Sequence, residues 1–420
     1  MKTLIIALLT GLCCSGVAMA ECRVLVGGQL HLSGGVEKAS LVIDQGRIVA
    51  ISAEASSLAN YASCEQHDIT GGVVTAGLVE TVSHFGLVEV GLEKGTRDME
   101  GGGDPIRAAL RIHEAYNPQS SLIPVARIEG ITSAVIAPSG GRISGQAAWV
   151  DLAGEHQSQA VIEPFVAMQG SAGASSKAQG LLELEELLDD ARVFAKNKGA
   201  WQQNRYRSFS ASRLDLQALE PVIKGERPLV LSANRASAIE ALVRFAQREK
   251  IRLVIVGAAE GWKVAELLAS AQVAVIVDPL VFGPGSFGQI HAREDNAALL
   301  VKAGVAVILS SFSTHNARTL RQVAGNAVRS GMEHGDALKA ITKTPADVFG
   351  VADRGSLDVG TVANLVVWSG DPFELATHAK EVIIAGQVVS AKSRQTELRE
   401  RYRHLPGTPL MPISQERSHE

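Results

Sequence analysis

From residue 229 onward the chain alternates between two kinds of segment. Apolar, largely β-branched runs (Leu229–Ser232, Leu253–Val256, Val273–Asp278, Val305–Leu309) lead in turn to stretches with helical spacing (Ala236–Arg248, Trp262–Ala271, Asp295–Ala303, Asn316–Ser330, Gly335–Phe349). Short runs that stay apolar at every position suit strands covered on both faces, and strands joined through helices form a parallel sheet. The strand starts recur about every twenty to thirty-odd residues, the length of a βα unit. Val73–Val79, Ser133–Ala137, Ala147–Leu152 and Val161–Met168 add four earlier candidates. The expectation is an α/β chain folded as a TIM-like (β/α)8 barrel. Two Gly- and Ser-rich stretches, Gly95–Asp104 and Gly170–Gly180, read as long loops over the barrel mouth.

The chain ends differ from this pattern. Arg23–Val26, Ala39–Ile43, Ile48–Ile51 and His67–Val74 are short strands, the middle pair joined at Asp44-Gln45-Gly46, a hairpin signal. Asn364–Trp368 and Glu381–Ala385, with a turn at Gly386-Gln387, return to the same style. Residues 21–75 and 350–392 are therefore expected to form one composite β-sandwich, with the barrel spanning 76–349. Residues 393–420 read as a C-terminal helix (Ser393–Arg403) and a Pro-rich tail.

Residues 1–20 have the form of a secretory signal: Lys2, the apolar run Leu4–Leu9, then Ala18-Met19-Ala20. The apolar run is too short to span a bilayer. The mature chain is expected from about Glu21, periplasmic or secreted, with no membrane attachment after cleavage. Cys22 and Cys64 then remain, either as a disulfide suited to an oxidising compartment or as two buried thiols. The formal net charge is −4 with no basic stripe, which argues against nucleic acid as a partner. The partner expected is a small-molecule ligand or substrate, with a homo- or hetero-oligomer left open.

Four segments carry a family resemblance: "GGVVTAGLVETVSH" (Gly71–His84), "GGRISGQAAWVDL" (Gly140–Leu152), "HNARTLRQVAGNAV" (His315–Val328) and the stretch Ala337–Glu374. Together with the layout they resemble the amidohydrolase superfamily, especially its imidazolonepropionase-like branch. The resemblance implies hydrolysis of a non-peptide, cyclic-amide C–N bond by a divalent metal, such as zinc, at the C-terminal face of the barrel. It also implies the ligands: His-x-His after the first barrel strand, His after the fifth and sixth, and Asp after the eighth. Here the His-x-His is Val82-Ser83-His84. Ser232 stands at the fifth-strand position, Gly257 at the sixth, and Phe312-Ser313 at the eighth. One ligand of five remains, whereas a catalytic zinc normally has three protein ligands.

His84 is thus either a metal ligand or an imidazole hydrogen-bonded to a carbonyl. Other candidates at strand ends are His315, which begins a helix that Ser313 or Thr314 caps; Glu89 on the first loop; and Glu260 and Asp278 after the sixth and seventh strands. Each has a structural alternative as a cap, a turn or a solvated loop residue. Glu80 reads as a supporting or structural carboxylate, Glu93 as a loop residue, and His291 as solvated. His113 and His156 lack motif context. "GPGSFG" (Gly283–Gly288) matches G-x-G-x-x-G formally but has Pro in the turn and no acidic residue at the end of the next strand, unlike a dinucleotide site. "GAAEGWK" (Gly257–Lys263) is not a phosphate-binding loop. Two functions follow: a C–N hydrolase with a rebuilt site, or a non-catalytic relative that binds a small molecule or supports a partner subunit.

Overall fold

The computed structural model describes residues 22–173, 176–199 and 208–403. The signal-like segment and the Pro-rich tail lie outside them. The α/β architecture expected from the alternation is the one observed: an eight-stranded, nearly closed barrel and a separate β-sheet domain.

The first five strands belong to the sheet domain: β1 (Arg23–Leu32), β2 (Gly35–Asp44), β3 (Arg47–Ser52), β4 (Glu65–Asp68) and β5 (Val73–Ala76). Gln45 and Gly46 join β2 to β3 with φ of 48° and 78°, the two left-handed positions of a tight hairpin. Next come the barrel strands β6 (Leu78–Ser83), β7 (Ile131–Ile136), β8 (Ile143–Asp151), β9 (Val161–Gly170), β10 (Leu229–Ala233), β11 (Leu253–Gly257), β12 (Ala274–Val277) and β13 (Val307–Leu309). Then β14 (Leu365–Trp368), β15 (Ala379–Ile384) and β16 (Gln387–Val388) complete the first sheet, in the order β16-β15-β14-β5-β1-β2-β3, with β4 also paired to β1. Leu25, Leu41 and Ile48 share one core with Leu365, Val367 and Ile383, so both chain ends fill the same interior. Cys22 and Cys64 are joined as a disulfide with Cα atoms 4.9 Å apart.

The predicted strand Val73–Val79 divides between the two sheets. Gly77 is the crossing point, where its N–H donates to Asn364 O at 2.8 Å and a methyl group would lie 2.6 Å from Thr132 Cβ. The predicted helix Gly335–Phe349 is likewise two helices, His334–Ala340 and Lys343–Phe349, broken at Thr342 (φ −135°, ψ −83°).

One barrel strand runs backwards. β6, β7 and β9–β13 pair in parallel where they adjoin, whereas β8 is antiparallel to both β7 and β9. Residues 137–142 link β7 to β8, too short a connection for a parallel crossover. The N-terminal end of β8 therefore reaches the barrel mouth.

Inside the barrel, Val79, Val135, Trp149, Val230, Val254, Ile276 and Ile308 form one apolar cluster. Neighbours such as Leu253 and Ile255 face the outer helices. No backbone ladder joins β6 to β13 among the described residues. Side chains close that seam, chiefly the buried carboxylate of Glu80.

Candidate active site at the barrel mouth

Where a metal is expected, the barrel holds a cavity of about 490 Å³. Its wall includes Val82 and His84 from the β6 end, Ser232 from β10, Val256 from β11, Ile276 from β12 and Phe312 beyond β13. Val135, Ala137, Ala147, Ala167, Val230 and Phe349 add further apolar surface. Thr81, Ser83, Ser139, Ser144, Ser171 and Gln169 add neutral polar groups. Among the described residues, no Asp, Glu, Lys, Arg or Cys lines it.

His84 Nδ1 lies 3.0 Å from Ala137 O. Burial lowers the imidazole pKa against the opposing pull of that carbonyl. A neutral ring beside a carbonyl, which only accepts, carries its proton on Nδ1. Nε2 is then an unprotonated acceptor. The carbonyl alternative considered for His84 is thus present, and the same ring also lines the cavity.

Phe312 reaches the cavity through an unusual backbone. Its φ is 52°, a left-handed conformation rare for a bulky residue. Glu80 builds the turn that holds it. The carboxylate accepts from Thr81 N (2.9 Å), Val82 N (3.2 Å), Ser311 N (3.0 Å) and Ser311 Oγ (2.6 Å), and from the Ser310 hydroxyl. Phe312 N donates to Ser310 Oγ at 3.2 Å. Burial pushes the Glu80 carboxyl pKa up, only partly opposed by the donors from Ser310, Ser311 and Val82.

The other candidates sit elsewhere. His315 Nε2 lies 3.2 Å from the backbone oxygen of Glu89, while the Glu89 carboxylate accepts from Ser121 N and Oγ. Glu260 accepts from Ala236 N (3.2 Å) and pairs with Lys263 (3.3 Å). Burial acts to raise its pKa, but those two donors and the nearby charges bring it below the ordinary value. Asp278 accepts from Leu280 N at 2.9 Å, and burial raises its carboxyl. Of the five candidate catalytic residues, only His84 lines the cavity. Of the substituted positions, Val82, Ser232 and Phe312 come together there. Gly257 does not: it packs against Asn234, with φ of 101°. Ser313 Oγ accepts from Asn316 N at 3.1 Å in the turn ahead of the helix. That helix starts at Ala317 with Asn316 as its N-cap, so His315 does not begin it and neither Ser313 nor Thr314 caps it as expected.

A divalent metal does not fit this donor set, because one imidazole among neutral hydroxyls is two ligands short of a zinc site. Among the described residues no three His, Cys, Asp or Glu side chains are grouped to hold a metal. Sequence reasoning missed Ser144 and Gln169 as wall residues. The short Pro- and Gly-containing link at residues 138–141 was the signal for the reversed β8, which carries Ser144 to the mouth.

Comparison with known proteins agrees with this fold. An amidohydrolase structure from Thermotoga maritima MSB8 superposes with a TM-score of 0.79 at 23% identity, over 88% of this chain and 100% of that one. The fold is that of an amidohydrolase. A prolidase complexed with N-methylphosphonate-L-proline superposes with a TM-score of 0.56 at 17% identity, over 88% of this chain and 100% of the other. Residues 262–390 match the amidohydrolase family. Amidohydrolase tasK of Hapsidospora irregularis is 21% identical over 360 residues, 76% of this chain. The chain spans only 36% of that relative's length. The amidohydrolase fold and the family match support the amidohydrolase superfamily.

Proposed function

We propose that this is an exported, imidazolonepropionase-like relative of the amidohydrolases whose mouth binds a small apolar molecule without a catalytic metal. One observation carries the reading: the cavity at the expected metal position is walled by Val82, Val256, Ile276 and Phe312, with His84 the only imidazole among the described residues. Apolar enclosure with a few neutral polar groups suits ligand capture. Export is supported by the signal-like residues 1–20 and by the Cys22–Cys64 disulfide. The expected mature N-terminus is Glu21 in a periplasmic or culture fraction, checked by mass spectrometry.

The test of function has two arms. Protein incubated with zinc and freed of excess is expected to retain no stoichiometric metal by elemental analysis. It is expected to bind the neutral fluorophore N-phenyl-1-naphthylamine, and Val256→Trp, which fills the cavity, should abolish that binding. Stoichiometric zinc that disappears in His84→Ala would sink the reading in favour of a reorganised metal site.

A second reading rests on His84 itself. A neutral imidazole anchored through Nδ1 with Nε2 unprotonated is the arrangement of a general base. C–N bond hydrolysis without a metal would then be lost in His84→Ala while N-phenyl-1-naphthylamine binding persists.

A further inference from the structure

We infer that the ligand of this mouth is an organic anion with an apolar body, and that Lys177 and Arg235 bind its charged group. The inference rests on the binding-cavity reading above.

A second cavity, of about 620 Å³, adjoins the first, and Ser232 lines both. Its wall comes from segments that follow β9, β10 and β12, so it opens at the same end of the barrel. The two cavities differ in electrostatics. Among the described residues, the inner one has no Lys, Arg, Asp or Glu in its wall, whereas the outer one contains Lys177 and Arg235 and no carboxylate. Neither cation forms an ion pair among the described residues. Among the described residues, Lys177 Nζ meets only the Gly173 carbonyl, and Arg235 Nε donates to Phe287 O at 3.0 Å. Both Nη nitrogens of Arg235 have no hydrogen-bond partner among the described residues. Glu260, which accepts from Ala236 N next to Arg235, is already paired with Lys263.

Two unpaired cations facing a common hollow attract an anion more strongly than either alone, and a guanidinium with free Nη groups can grip a carboxylate, sulfonate or phosphate. A ligand with its apolar part beyond Ser232 in the inner cavity would place its charge in the outer one. Phe287, 81% exposed at that rim, offers apolar cover for the junction.

The test compares two probes that differ by one sulfonate: N-phenyl-1-naphthylamine and 1-anilinonaphthalene-8-sulfonate. Both are titrated by fluorescence against the mature protein, Lys177→Gln, Arg235→Gln and the double variant. The double variant is expected to weaken the sulfonate by roughly tenfold or more, from loss of charge-assisted hydrogen bonds, and to leave the neutral probe unchanged. Lys177→Arg should retain sulfonate binding. Unchanged sulfonate affinity in the double variant, with the neutral probe still bound, overturns this inference alone. Parallel loss of both probes overturns it as well, since the residues would then be shaping the cavity. If wild-type protein binds neither probe, the cavity reading fails and this inference falls with it.

Discussion

Glu80 and His84 are four residues apart and titrate in opposite directions for the same reason, burial. Glu80, held among hydroxyls and amides at the barrel seam, has a raised carboxyl pKa. Its contribution to stability is therefore full below the ordinary carboxylate range and is lost as pH rises through the folded value. Urea denaturation from about pH 4 to 8 should show wild-type stability falling more steeply with pH than that of Glu80→Gln. The variant should also lose about 1–3 kcal/mol overall, because its amide nitrogen faces donors that need an acceptor. His84 has a lowered pKa, so its share of stability is present above the unfolded value and lost as pH falls through the folded one. Its ring protons should titrate below the ordinary imidazole value in NMR, and a normal midpoint would contradict the burial argument. The replacements at Val82 and Ser232 were legible because they sit in recognisable segments. The left-handed backbone of Phe312 was not, since it leaves no compositional trace.

Among elements, the strand–helix alternation after residue 229 was read almost residue for residue: Ala236–Arg248 became the helix Ala236–Glu249, and Leu253–Val256 became β11. Periodicity carries strand existence well and strand direction not at all. Direction is set by connection length, which is why β8 looked like one more barrel strand. Gly77 was similarly hidden inside an apolar run, although it marks where the chain leaves one sheet for the other. Gly77→Ala forces a methyl group against Thr132 and should cost about 1–3 kcal/mol in urea unfolding, with secondary structure intact by circular dichroism. A neutral result would mean that the strand shifts freely at this crossing.

A buried ion pair links the end of β8 in the barrel to the chain's return toward the terminal sheet. Arg354, on the return to the terminal sheet, donates to Asp151 at the end of β8 with Nε and Nη2 both at 3.0 Å, and Asp151 also accepts from Ser133 Oγ at 2.7 Å. Removing one partner leaves a buried charge uncompensated. Arg354→Met alone should cost about 3–5 kcal/mol in denaturant unfolding, and adding Asp151→Leu should recover part of that. Simple additivity of the two losses would refute the coupling. The composite domain was legible because both ends carry short strands and tight turns. Their strand order could not be read, since nothing in the sequence says that β5 lies between β1 and β14. That position has a consequence for the order of synthesis. β5 emerges early, with β1 already available on one side, but its other edge stays open until residues 365–368 leave the ribosome. Through most of translation and any crossing of a membrane, the nascent protein therefore carries an unfinished sheet. A chain stopped just short of β14 would keep a sticky edge that the finished molecule conceals.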